Sequence, residues 1–105
     1  MKIEYKNYTP HTIKLNDGTE YPSLGKARVS ASFAETETDG EFKTVYGEIE
    51  GLPAPEEGVK IIVSMMVLAA NGGKRSDLVA PATGHPQTVR DEKGFIVSVP
   101  GFVIN

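Results

Sequence analysis

Residues 51–71 read GLPAPEEGVKIIVSMMVLAAN, and this stretch holds the longest apolar run of the chain, Val59 to Ala70, broken only by Lys60 and Ser64. Val59 to Val63 reads as a central strand covered on both faces, because its apolar residues are continuous rather than alternating. Ser64 stands where a helix N-cap belongs, and Met65 to Ala70 are mostly good helix formers. Asn71-Gly72-Gly73 is a helix stop, since glycine takes the left-handed conformation that ends a helix. The reading is a strand that passes into a short helix; the alternative is one long strand through Leu68. Upstream, Gly51-Leu52-Pro53-Ala54-Pro55 is a stiff connector and Glu56-Glu57-Gly58 a turn.

Working outward toward the N-terminus, Ala27, Val29, Ala31 and Phe33 alternate with Arg28, Ser30 and Ser32, as a two-faced strand does. A second strand is expected from about Glu41 to Glu50, with a shift of alternation near Val45-Tyr46 that suggests a bulge. The polar segment Thr36 to Gly40 makes these two strands a hairpin. Further back, Lys2 to Lys6 alternates with Ile3 and Tyr5 on one side. Thr12 to Leu15 and Thr19 to Tyr21 flank Asn16-Asp17-Gly18, a hairpin-turn signal. Toward the C-terminus, Lys74 to Gln87 is expected as a long irregular loop with two prolines. Thr88 to Arg90, the turn Asp91 to Gly94, the strand Phe95 to Val99, the break Pro100-Gly101 and Phe102 to Ile104 follow. The expected fold is α+β and predominantly antiparallel β: a small twisted sheet or partly open barrel of hairpins, with one short helix after a central strand.

The chain has 105 residues, enough for one domain with a core that needs no staples. Cysteine is absent, which removes disulfides, thiolate metal sites and cysteine nucleophiles and suits a reducing compartment. The formal net charge is −3, which argues against general or sequence-specific nucleic-acid binding, since that needs a basic face. No apolar leader and no run long enough to cross a bilayer are present, so a soluble protein used inside the cell that makes it is expected.

Residues that could carry chemistry are few. His11 and His85 each sit beside a proline, and neither has a partner at metal-ligand spacing; a site joining them to Asp77 would have to be assembled in space. Ser64 has no flanking glycines to form a nucleophile elbow. Gly72-Gly73-Lys74 follows a helix instead of opening one, so it is not a phosphate loop. No catalytic residue, metal or cofactor is therefore expected, and the chain reads as a binding protein, not an enzyme. Two residue sets remain. Between Glu35 and Glu57 lie eight acids against one base, Lys43. Glu35, Glu37, Asp39, Glu41, Glu48 and Glu50 would make a negative surface for a basic partner, or simply a solvated face. The other set is cationic: Arg28 and Arg75, with Thr9, His11, Asp77 and His85, could line an anion pocket, or Arg75 and Asp77 could merely pair across their turn.

The segments Asn7-Tyr8-Thr9-Pro10-His11-Thr12-Ile13, Gly25-Lys26-Ala27-Arg28-Val29, Gly51 to Gly58, Ile62-Val63-Ser64, Arg75-Ser76-Asp77 with Pro81, and Arg90 to Gly94 follow an order that resembles a family of small, uncharacterised proteins of phages, prophages and gut-bacterial mobile elements. Each piece alone is a common turn; the order of pieces is the more specific sign. The resemblance implies a phage protein in the cytoplasm of the infected bacterial host, one that inhibits a host defence component by binding. An anti-CRISPR inhibitor of a Cas9-type nuclease or its guide complex is the leading form of that expectation. Sequestration of an anionic nucleotide immune signal and a structural or assembly role in the virion are the alternatives, and homo-oligomerisation is left open. Within this resemblance Thr9-Pro10-His11, Arg28 and Arg75-Ser76-Asp77 are the shared pieces, and the acidic hairpin is the individual one. A net charge of −3 is small for a full nucleic-acid mimic, so a partial or allosteric blocker is as compatible as a competitor for the nucleic-acid groove.

Overall fold

The computed structural model describes residues 3–105; Lys2, expected in the first strand, lies outside them. The elements are β1 (Glu4–Asn7), β2 (Ile13–Lys14), β3 (Glu20–Tyr21), β4 (Arg28–Glu35), β5 (Phe42–Glu50), β6 (Val59–Ile62), α1 (Met65–Asn71), β7 (Leu78–Pro81), β8 (Val89–Arg90), β9 (Ile96–Ser98) and β10 (Phe102–Val103). Among the described residues the fold is α+β, rich in strand, with one short helix and no closed barrel.

Residues 59–71 form the expected strand and helix. The Ser64 hydroxyl accepts the Val67 amide at 3.2 Å, and Gly72 ends the helix in the left-handed region at φ 58°. The four-stranded central sheet has the order β1-β6-β7-β10. Ile61, Ile62 and Val63 are buried, as a strand with neighbours on both sides and layers on both faces must be. Antiparallel pairing dominates elsewhere, but β6 itself is parallel to both β1 and β7. The sheet is therefore a βαβ unit with β1 and β10 added at its edges, and not a stack of hairpins.

Alternation along the strands divides the core into two layers. On one face Val59, Ile61, Val63, Leu78 and Ala80 pack with Val67 and Leu68 of α1 and with Val29 and Ile49 at the base of the β4–β5 hairpin. On the other face lie Asn7, Ile62, Val79 and Pro81, all buried. Tyr5, Tyr21 and Phe102 form an aromatic trio there, with ring centroids 4.8–6.0 Å apart. Tyr5 belongs to β1 and Phe102 to β10, the two edges of the sheet. Their ring centroids lie 4.8 Å apart, and the β3 residue Tyr21 packs against both.

The segment expected as a long irregular loop, Lys74 to Gln87, is corrected by the structure. Leu78 to Pro81 is strand β7 and is wholly buried. It is held by parallel pairing to β6 and by antiparallel pairing to β10, with Pro81 opposite Phe102. Only the flanks are irregular. Ile3, on the same side of the alternation as Tyr5, is exposed. The bulge expected near Val45-Tyr46 falls just beyond: Ala31 faces Tyr46 and Val29 faces Ile49, so Gly47 and Glu48 share Ser30 as their partner.

Buried polar residues tie the layers together. Asn7 is 1% exposed. Its Nδ2 donates to the His11 carbonyl at 2.7 Å and the Tyr21 carbonyl at 2.8 Å. Its Oδ1 accepts the Thr9 amide at 2.9 Å and the Thr9 hydroxyl at 2.7 Å. Asn71 does similar work below α1, where it bonds the Arg75 backbone and the Asn105 side chain. Asn16 joins Ser98 to the Gln87 carbonyl and so fastens the β2–β3 hairpin to the β8–β9 arm.

Candidate functional site

The β4–β5 hairpin is the longest element of the fold, eight residues against nine. Its base is fixed. At Gly51, φ is 85° and a Cβ would collide with the Lys26 carbonyl oxygen, so the turn out of β5 needs glycine there. Beyond Val29 and Ile49 the hairpin leaves the body. The radius of gyration is 15.4 Å, against about 13 Å for a compact domain of this size, and the longest extent is 48 Å.

Cross-strand register sorts its side chains. Val29, Ala31, Phe33 and Glu35 share a face with Ile49, Tyr46, Thr44 and Phe42. That face begins in the core and continues outward as an uncovered apolar strip. Phe33 is 77% exposed and Phe42 60% exposed, and their rings lie 6.2 Å apart. Thr36 organises the turn: its hydroxyl oxygen accepts the Thr38 amide at 3.2 Å and lies 3.1 Å from the Glu41 carbonyl. Glu35, Glu37, Asp39 and Glu41 lie in and beside the turn, all exposed, with Lys43 next to them. Glu48 and Glu50 do not join them. They sit at the base, where Arg28 pairs with Glu50 across the strands and all three border one shallow cleft.

The six residues of the cationic set do not form one pocket; the structure joins Arg75 to Asp77 and Thr9 to the His11 backbone, and Arg28 lines a different cleft from His11. Thr9 is buried against Asn7. Arg75 is engaged: Nε donates to Asp77 Oδ1 at 2.9 Å, one terminal nitrogen to Oδ2 at 2.6 Å and the other to the Pro53 carbonyl at 3.1 Å. The Arg75 guanidinium holds the Asp77 carboxyl below its usual range, chiefly through these hydrogen bonds. Arg28 lies between Glu48 and Glu50. His85 is exposed, and its Nδ1 accepts the Gln87 amide at 3.0 Å. His11 is exposed at the mouth of a separate groove. Among the described residues, no group of three His, Cys, Asp or Glu side chains could hold a metal ion, and no helix is long and apolar enough to cross a membrane.

That groove, of about 270 Å³, runs between β2 and β9. Ile13, Pro81, Ile96 and Val97 form its apolar wall, His11 and Lys14 stand on it, and no acid lines it. Arg90 is adjacent, donating to the carbonyl of the groove residue Thr83 at 3.2 Å. Neither this groove nor the aromatic tip was evident from sequence. Alternation marks which residues share a face, and it carries no information on whether another element covers that face. The exposure of Phe33, Phe42, Phe95, Ile96 and Val97 together is the signal that finds both surfaces. No protein-family model, curated protein or solved structure matches the chain.

Proposed function

We propose that the chain is a binding protein that inhibits a host defence component of a bacterium, a Cas9-type nuclease or its guide complex, and that it docks through the tip of the β4–β5 hairpin. The observation that supports this reading is the aromatic pair Phe33–Phe42, exposed on a projecting arm whose end carries four acids and one base, Lys43. An arm of this kind suits a groove built to hold nucleic acid: the acids meet the lysines and arginines that normally hold phosphates, and the rings take the place of stacked bases. Charge alone would steer the encounter, while the buried aromatic contact would slow release. The phage origin rests on the family resemblance.

The test is guide-directed DNA cleavage with the protein in excess. Inhibition is expected, weaker at high salt, and reduced by Glu35→Gln, Glu37→Gln, Asp39→Asn and Glu41→Gln together. Undiminished cleavage at saturating protein would remove the nuclease as the target. An assembly role in the virion draws support from a second observation, the apolar residues left exposed on both the β4–β5 and β8–β9 arms. Nucleotide sequestration has less support, because Arg75 spends its donors on Asp77 and Pro53. A thermal-shift screen with cyclic nucleotides and ADP-ribose derivatives would revive that reading if it raised the melting temperature.

A further inference from the structure

The hairpin tip and the β2–β9 groove are complementary in shape class and in charge. The tip offers two phenyl rings and, in and beside the turn, Glu35, Glu37, Asp39 and Glu41 against one base, Lys43. The groove offers an apolar wall with Lys14 and His11 among its lining residues and no acid in that lining; Glu20 stands opposite Lys14 on β3, and Arg90 beside the groove donates to the Gly94 and Thr83 carbonyls. An apolar cavity of about 150 Å³ accommodates one benzene ring, so a groove of about 270 Å³ is of the scale of a phenyl pair.

We propose that the aromatic tip of one copy of this chain seats in the β2–β9 groove of a second copy. The occupant of the groove is thus a neighbouring hairpin, with Phe33 and Phe42 against Ile13, Ile96 and Val97, and the tip acids against Lys14 and Arg90. Each contact joins two unlike surfaces, so two copies either exchange tips reciprocally in a closed dimer or leave a free tip and a free groove for further copies. Such contacts close into rings or extend into filaments. The buried patch is small, which places the association in the weak, concentration-dependent class, and its charged part weakens as salt rises. The proposal does not depend on the identity of any host partner, and its test contains none.

The experiment is sedimentation equilibrium of the purified chain from micromolar to millimolar concentration. Average mass is expected to rise above the monomer as concentration increases. Phe33→Ser with Phe42→Ser removes the tip, and Val97→Glu or, as a second choice on an exposed position, Lys14→Glu blocks the groove. Each variant, verified as folded by circular dichroism, is expected to be a monomer. A one-to-one mixture of a tip variant and a groove variant retains one working tip and one working groove, and is expected to form a heterodimer and stop there. Wild-type mass that stays monomeric, self-association that persists in the groove variants, or a mixture that remains monomeric overturns the proposal.

Discussion

Asn7→Ala tests the account of how the layers are joined. Asn7 makes four hydrogen bonds at 2.7–2.9 Å and is 1% exposed. Removing its amide leaves the Thr9 amide and the Tyr21 carbonyl without these partners, while the Thr9 hydroxyl is free to turn its one proton to the His11 carbonyl, 2.9 Å away. Each net hydrogen bond is worth roughly 0.5–1.5 kcal/mol, and a buried group left unsatisfied costs about 1–3 kcal/mol. The expected loss is about 3–5 kcal/mol, a large part of the roughly 5–15 kcal/mol that holds a domain of this size together. Urea unfolding followed by far-ultraviolet circular dichroism measures it. At a slope of about 1.5 kcal/mol/M, the midpoint falls by roughly 2–3 M. Asn7→Asp sharpens the test, because it puts a carboxylate oxygen where Nδ2 faces two carbonyls. Burial and those carbonyls raise the folded pKa of that acid above about 3.9. Its penalty is therefore full above the folded pKa and shrinks as pH falls through it. A cost below about 1 kcal/mol for Asn7→Ala, or an Asn7→Asp variant that gains nothing in acid, would refute the reasoning.

Three further substitutions probe other joints of the fold. Asp77 is held ionised by Arg75, so its contribution is present above about pH 3.9 and is lost as pH falls through the lowered folded value; Asp77→Asn is expected to destabilise at neutral pH and to flatten the acid limb of a melting-temperature profile. Ser64→Ala removes the N-cap of α1 and is expected to cost about 1 kcal/mol in the same urea assay. Gly51→Ala meets both a positive φ and the Lys26 carbonyl, so a loss above about 1–2 kcal/mol is expected, whereas Phe33→Ser with Phe42→Ser should leave stability within about 0.5 kcal/mol because both rings are exposed.

What could be read from the residues alone was what is decided locally. The β6–α1 unit carries its own signals in a continuous apolar run, a serine cap and a glycine stop. The two hairpins around Asn16-Asp17-Gly18 and Thr36-Gly40 are marked by their turns, and the Arg75–Asp77 pair by its spacing. Strand β7 was missed because Leu78-Val79-Ala80-Pro81 is short and ends in proline; it is a strand because β6 and β10 lie beside it. The parallel pairing of β1 with β6 has no local sign at all. The same limit governs the candidate surface. The acids were legible, but their division into a tip group and a base group follows from the register of β5 past its bulge. Phe33 shares a face with Val29, as the alternation indicates, yet only Val29 reaches the body, since the hairpin outruns the layer that α1 provides.

The pairing of β1 with β6 also has a consequence for how the chain folds. Glu4 to Asn7 lie beside Val59 to Ile62, so everything from residue 8 to residue 58 is an excursion between two neighbouring strands. The β6–α1–β7 unit is short-range and can organise early, while β1 must wait for a long loop to close. The entropy of that closure grows only slowly with the length of the excursion. Residues can therefore be added to or taken from the distal part of the β4–β5 arm at little cost to the assembly of the centre. The arm is free to change its length and its tip across generations while the nucleus that folds first stays the same.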